Sequence, residues 1–119
     1  MARVDLYRDA RGKEPVLDYI ASVGRTRPAE AASIERYIDL LEEKGDRLGL
    51  PFARMIDANA RLYELRPGAH RIAYGRHGGA YVLLHAWRKK SQKLDQKEAN
   101  TARLRLESWR ERHPARRAR

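Results

Sequence analysis

Apolar and polar residues first alternate with period two at Arg3–Tyr7. Val4 and Leu6 face one way there and Asp5 and Tyr7 the other, which predicts a short opening strand. After a polar turn containing Gly12, spacings of three and four take over. Pro15 suits the first turn of a helix, and Val16, Tyr19, Ile20 and Val23 recur at helical intervals until Gly24. A second helix opens near Pro28, with Ile34, Tyr37, Ile38 and Leu41 as its apolar stripe and Gly45 as its stop. The two predict a helical hairpin whose apolar faces need a sheet to cover. Gly45 to Ala60 reads as irregular, punctuated by Gly49, Pro51, Asp57 and Asn59. Leu48, Leu50, Phe52, Met55 and Ile56 are expected to anchor it in the core.

Period two returns from Arg61 to Lys93. Turn signals at Pro67-Gly68 and Gly78-Gly79 divide this stretch into three strands of an antiparallel meander. A last helix is expected from about Asp95, an N-cap residue with Glu98 three positions on, as in a capping box. Ala99, Ala102, Leu106 and Trp109 share one face of it, and Pro114 ends it. The fold class is therefore α+β: one small domain over residues 1–112, in the order β-α-α-β-β-β-α. An antiparallel sheet carries the helical hairpin on one face, and the last helix closes the chain. Residues 113–119, basic and without an apolar anchor, are expected to be a disordered tail.

Alternation also assigns faces within the meander. Val82, Leu84 and Ala86 are expected under the hairpin, and Tyr81, Leu83, His85 and Trp87 on the open face. Arg66 shares a face with Leu62 and Glu64, opposite Tyr63 and Leu65, and Arg71 lies with Ala73, opposite Ile72 and Tyr74. Each open face thus carries a cation or an imidazole, and Arg88, Lys89, Lys90 and Lys93 follow at the strand end. One bulge would invert such an assignment.

Charge gives this surface a chemistry. The chain of 119 residues has 26 Lys+Arg against 16 Asp+Glu, a formal net charge of +10. From Arg88 onward twelve basic residues face four acidic ones, so that third holds most of the excess. A field of this sign draws phosphate backbones or an acidic protein partner. With no Cys, disulfides and thiolate metal sites are excluded, which fits a cytoplasmic protein. No apolar run approaches the roughly 18 residues of a membrane span, so no membrane partner is expected.

His70, His77, His85 and His113 lack zinc-ligand spacing, and no Gly-rich phosphate loop or nucleophile elbow is present, so neither metal nor cofactor is expected. Arginines and lysines in a concavity can instead hold a phosphodiester and stabilise the extra charge of a pentacoordinate phosphorane. The competing reading of each cation is a surface ion pair or a solvated charge run.

Leu62–Pro67 (LYELRP), His70–Gly75 (HRIAYG) and Val82–Lys93 (VLLHAWRKKSQK), followed by the helix opening QKEANTARLRLE, resemble the RelE/ParE superfamily of bacterial toxins. The likeness is nearest to its HigB-like, phage-derived branch and extends over nearly the whole chain. It implies the toxin of a type II toxin–antitoxin system, a ribosome-dependent mRNA endonuclease. In that family the ribose 2′-hydroxyl attacks the adjacent phosphate. Carried onto this chain, the resemblance falls on Arg66, Arg71 and the cluster Arg88, Lys89, Lys90 and Lys93. With His85, whose ordinary pKa of about 6.5 suits proton transfer, Arg66, Arg71, Lys89 and Lys90 are the catalytic candidates. Trp87, as a stacking platform, and Arg88, Lys93 and Lys97 are the expected RNA contacts. The family site often carries a Tyr near the C-terminus, and none follows Tyr81 here, which leaves His85 or a lysine for proton transfer. Glu64 is expected to orient an arginine. The implied partners are the ribosome, mRNA and a cognate antitoxin, commonly a helix-turn-helix protein with an acidic contact segment. The alternative is a nucleic-acid- or protein-binding module that has lost catalysis.

Overall fold

The computed structural model describes residues 1–114. Five strands, β1 (Arg3–Leu6), β2 (Ala53–Asp57), β3 (Leu62–Leu65), β4 (His70–His77) and β5 (Ala80–Arg88), form one sheet in the order β1-β5-β4-β3-β2. Helices α1 (Pro15–Thr26) and α2 (Pro28–Lys44) cover one face and α3 (Gln96–Arg112) packs on the other. The α+β class and the order of the expected elements hold, with one strand added. β2–β5 run antiparallel, but β1 pairs parallel to β5, so the sheet is mixed rather than wholly antiparallel. The hairpin carries the chain away from β1, and a connection of that kind permits a parallel partner.

The added strand lies in the stretch expected to be irregular. Ala53, Arg54 and Met55 pair with Leu65, Glu64 and Tyr63. As an edge strand, β2 buries little, so the expected anchors divide. Leu48 and Ile56 pack against the two cores, while Leu50, Phe52 and Met55 are exposed.

Each face of the sheet has its own core. Leu65, Ile72, Tyr74, Leu83 and Ala86 meet Val16, Ile20, Ile34 and Leu41 of the hairpin. Leu62, Ala73, Val82, Leu84 and Trp87 lie on the other face with Ala102, Leu106 and Trp109. In β5 the expected faces are therefore only half right. Ala73 pairs with His85 but Tyr74 with Leu83, so Leu84 is an extra residue, a β-bulge. Before it Tyr81 and Leu83 face the hairpin and Val82 faces α3, the reverse of the expectation. After it Ala86 returns to the hairpin side, and Trp87 takes the side of Arg71, with which it pairs.

The β4–β5 turn is Gly78-Gly79, with φ of 61° and 79°. Positive φ at both central residues makes the two-residue turn that matches strand twist, and glycine adopts it without strain. Gly75 serves packing instead. A Cβ there would lie 2.8 Å from Leu106 Cδ2, so its absence lets α3 sit close on β4.

Asp95 caps α3 as expected, accepting from the Lys97 N–H at 3.0 Å. The capping box does not close, because Glu98 turns to His85. His113, assigned to the tail, stacks on Trp109 with ring centroids 3.8 Å apart. Residues 115–119 of the expected tail lie outside the described residues.

Candidate functional site

Where α3 leaves the sheet uncovered, toward β3 and β2, the surface sinks into a cleft of about 110 Å³. Neighbouring strands supply its floor: Arg54 from β2, Glu64 and the following Arg66 from β3, Arg71 from β4 and Trp87 from β5. The segment from Lys89 to Asp95 forms its wall, bringing Lys89, Lys90 and Lys93 over that floor. Both ends of the wall are tied. The Lys89 N–H donates to Ala69 O at 2.8 Å, and Asp95 is held as the cap of α3. Six cations and two carboxylates thus meet in one small space.

Cross-strand pairing explains the floor. Glu64 stands opposite Arg54 on one side and Ala73 on the other, so its side chain rises between two arginine-bearing strands. It is 1% exposed, which demands compensating charge. Glu64 Oε2 lies 2.9 Å from Arg54 Nη2 and 3.8 Å from Arg71 Nε. The approaches are poorly directed, and Oε2 and Arg54 Nε each lack a hydrogen-bond partner. The proximity is therefore one of charge rather than of formed hydrogen bonds. Arg71, 6% exposed, is better fixed. Its Nη1 donates to Gly68 O at 2.8 Å and His70 O at 2.7 Å. Burial, with Arg66 beside it, draws the Arg71 guanidinium below its ordinary value, and Glu64 opposes that shift. It remains a cation at neutral pH, as arginine does throughout proteins.

Residues 25–107 match the family model described as phage-derived protein Gp49-like (DUF891). The chain belongs to this family. The Gp49-like family is a RelE-like family of toxin–antitoxin toxins. The matched residues run from the end of α1 into α3 and include every residue lining the cleft. No curated protein matches the chain significantly.

Within the Gp49-like match, the structure sorts the candidate residues. Arg66, Arg71, Trp87, Lys89, Lys90 and Lys93 come together in the cleft. Trp87 is only 8% exposed, which leaves little of its ring for a base to cover. Arg88 turns to the hairpin face, 3.5 Å from Glu30. Lys97 is exposed in the first turn of α3, outside the cleft lining.

His85 lies behind Trp87, the two rings stacked with centroids 5.3 Å apart, and does not line the cleft. Its Nδ1 accepts from Arg105 Nη1 at 3.0 Å, which assigns the proton of the neutral ring to Nε2. Nε2 faces Glu98 Oε1 at 3.3 Å, too poorly aligned for a hydrogen bond. Burial lowers the His85 pKa from 6.5, against the pull of Glu98 and with a smaller push from Arg105.

That shift has a consequence for stability. Because the unfolded chain binds the proton more readily, the neutral buried ring stabilises the fold above pH 6.5, and this contribution declines as pH falls below it. His85→Asn, which can still accept from Arg105, is expected to melt with less acid sensitivity in that window. Melting temperatures of both proteins from pH 7.5 down to about pH 5 check this, and parallel curves would remove His85 as the cause.

Arg54 was missed by the sequence reading because its strand was missed. A strand pairing with β3 would have placed it opposite Glu64. His70, by contrast, belongs to the scaffold. Its Nε2 meets Glu30 Oε1 and its Nδ1 the Tyr19 hydroxyl, each at 2.7 Å, linking both hairpin helices to the start of β4. Among the described residues no three His, Asp or Glu side chains gather as a metal site requires.

Proposed function

We propose that the cleft binds the phosphodiester of RNA and that this Gp49-like chain is the toxin of a type II toxin–antitoxin pair, of the HigB-like kind. In this reading it cuts mRNA on the ribosome. The observation that carries the proposal is the convergence of Arg66, Arg71, Lys89, Lys90 and Lys93 from two strand ends and one tethered segment onto a single cleft. Guanidinium groups suit paired contacts with phosphate oxygens, and ammonium groups act as point charges. RNA supplies its own nucleophile. Attack of a 2′-hydroxyl in line with the departing 5′-oxygen needs position, charge stabilisation and proton transfer. The products are a 2′,3′-cyclic phosphate and a 5′-hydroxyl end. Arg71, held by two carbonyls, presents its charge with little reorganisation, which favours the trigonal-bipyramidal phosphorane over the ground state.

Membership of a toxin–antitoxin family supports an antitoxin as partner, and the +10 charge favours an acidic segment on it. No helix among the described residues is long and apolar enough to cross a membrane. Action on ribosomes would place the protein in the cytoplasm.

Expression of the chain without an antitoxin is expected to arrest growth, and primer extension on ribosome-bound messages should show defined breaks. Arg66→Ala or Lys90→Ala is expected to relieve the arrest. Full toxicity of both variants would sink this site, and growth arrest without any cleavage would favour a binding module over a nuclease.

A further inference from the structure

His85, shielded behind Trp87, leaves the proton of the attacking 2′-hydroxyl without an acceptor in the cleft. Building on the nuclease reading above, we propose that Glu64 takes that proton. The cleft offers few other bases. Arg54, Arg66 and Arg71 carry no lone pair, and the lysine ammonium groups have none to offer. Asp95, the other carboxylate of the cleft, commits its Oδ1 to the first turn of α3 at the end of the wall, whereas Glu64 stands on the floor between the arginines. Ser91 is a hydroxyl that would itself need a base.

Glu64 has the matching geometry. It lines the cleft from the middle of β3, and its side chain is almost wholly buried. Its Oε2 has two cations near and no hydrogen-bond donor aligned. Buried oxygens without a donor are rare in native proteins and call for a partner. A carboxylate that served only to clamp Arg54 and Arg71 would be expected to accept directed bonds from them. The orphaned Oε2 instead keeps an unused acceptor site at the buried floor of the cleft, which a ligand hydroxyl would reach by displacing the Arg54 side chain. The surrounding cations keep the cleft positive enough for phosphate to lie beside a carboxylate.

The step balances without a further reactant. The 2′-hydroxyl proton passes to Glu64 as the O2′–P bond forms. The P–O5′ bond breaks, its electron pair leaves with O5′, and that oxygen takes a proton from a lysine ammonium of the cleft. Glu64 then returns its proton to the lysine through solvent.

The test is Glu64→Gln, which keeps the shape and one acceptor oxygen. Single-turnover cleavage of a ribosome-bound message should fall by about 10²- to 10⁴-fold, the usual worth of a positioned general base. Binding to the same message with a 2′-deoxy scissile nucleotide should stay within about threefold, because a base contributes to the transition state rather than to ground-state affinity. The variant's rate should climb roughly tenfold per pH unit as hydroxide replaces the missing base, where the wild type levels off. Glu64→Asp should be slower yet keep the plateau, which separates chemistry from a folding defect if the glutamine variant is unstable. A uniformly slower Glu64→Gln whose pH profile matches the wild type would overturn the proposal and leave Glu64 a positioning residue. A rate near wild type would overturn it outright. Absence of cleavage by the wild type would instead remove the nuclease reading, and this inference with it.

Discussion

On the proposed nuclease reading, Arg71→Ala is expected to lose cleavage by about 10²- to 10³-fold, the usual cost of deleting one preorganised donor to a developing charge. The structural reason is specific to this site. Arg71 carries its charge on a guanidinium already fixed by the Gly68 and His70 carbonyls, so nothing has to be ordered when phosphate arrives. Removing it also strips one cation from buried Glu64. Arg54 stays 2.9 Å away and Arg71 Nε was no closer than 3.8 Å, so the loss of stability should be modest, about 1–3 kcal/mol. Arg71→Lys keeps the charge but cannot bridge two carbonyls and still present a planar fork. It should recover part of the rate. Single-turnover cleavage beside thermal melting separates the two effects, and a fully active Arg71→Ala would take the residue out of the site.

The second large effect falls on stability. Leu106→Ala is expected to cost about 2–5 kcal/mol and to lower Tm by on the order of 10 °C. Leu106 is 1% exposed and fills the hollow that Gly75 leaves in β4. Gly75→Ala alone is expected to destabilise by about 1–3 kcal/mol, because its Cβ would be forced against a buried side chain. In the double variant the new methyl occupies space that the shortened residue vacates, so the penalties should not add. A double-mutant cycle by denaturant unfolding checks this. Additive costs would show that α3 is seated by other contacts.

How far the sequence discloses this molecule depends on how much each element buries. The hairpin helices and the last helix each place apolar residues on one face, and the three strands of the meander are separated by glycine-containing turns, so their order and most of their packing were legible. β2 was not, because this edge strand fully buries only Ala53, half-buries Ile56 and exposes Met55, leaving no clean alternation to read. With β2 went Arg54 and half the surroundings of Glu64. The bulge at Leu84 was invisible for another reason. Val82, Leu83 and Leu84 are all aliphatic, so shifting the phase by one residue there leaves the hydropathy pattern unchanged.

The cluster of cations was legible in composition, but which of them converge was not. Arg88 and Lys89 are neighbours in sequence and end on opposite faces of the sheet, as strand geometry requires. His85 suited proton transfer by residue type, and only the packing of Trp87 over it shows that the cleft is reached elsewhere.

The extra residue at Leu84 also affects how chains of this kind should be aligned with one another. A gap could slide anywhere between Val82 and Ala86 with almost no change in residue similarity, because all the side chains but His85 are small or aliphatic. Only one placement leaves the indole of Trp87 beside Arg71 and the lysines beyond it on the correct side. Between the hairpin core and the cationic segment, what must be preserved is a count of residues rather than their character. A relative with a shorter β5 would need its own bulge elsewhere to aim the same wall at the same floor.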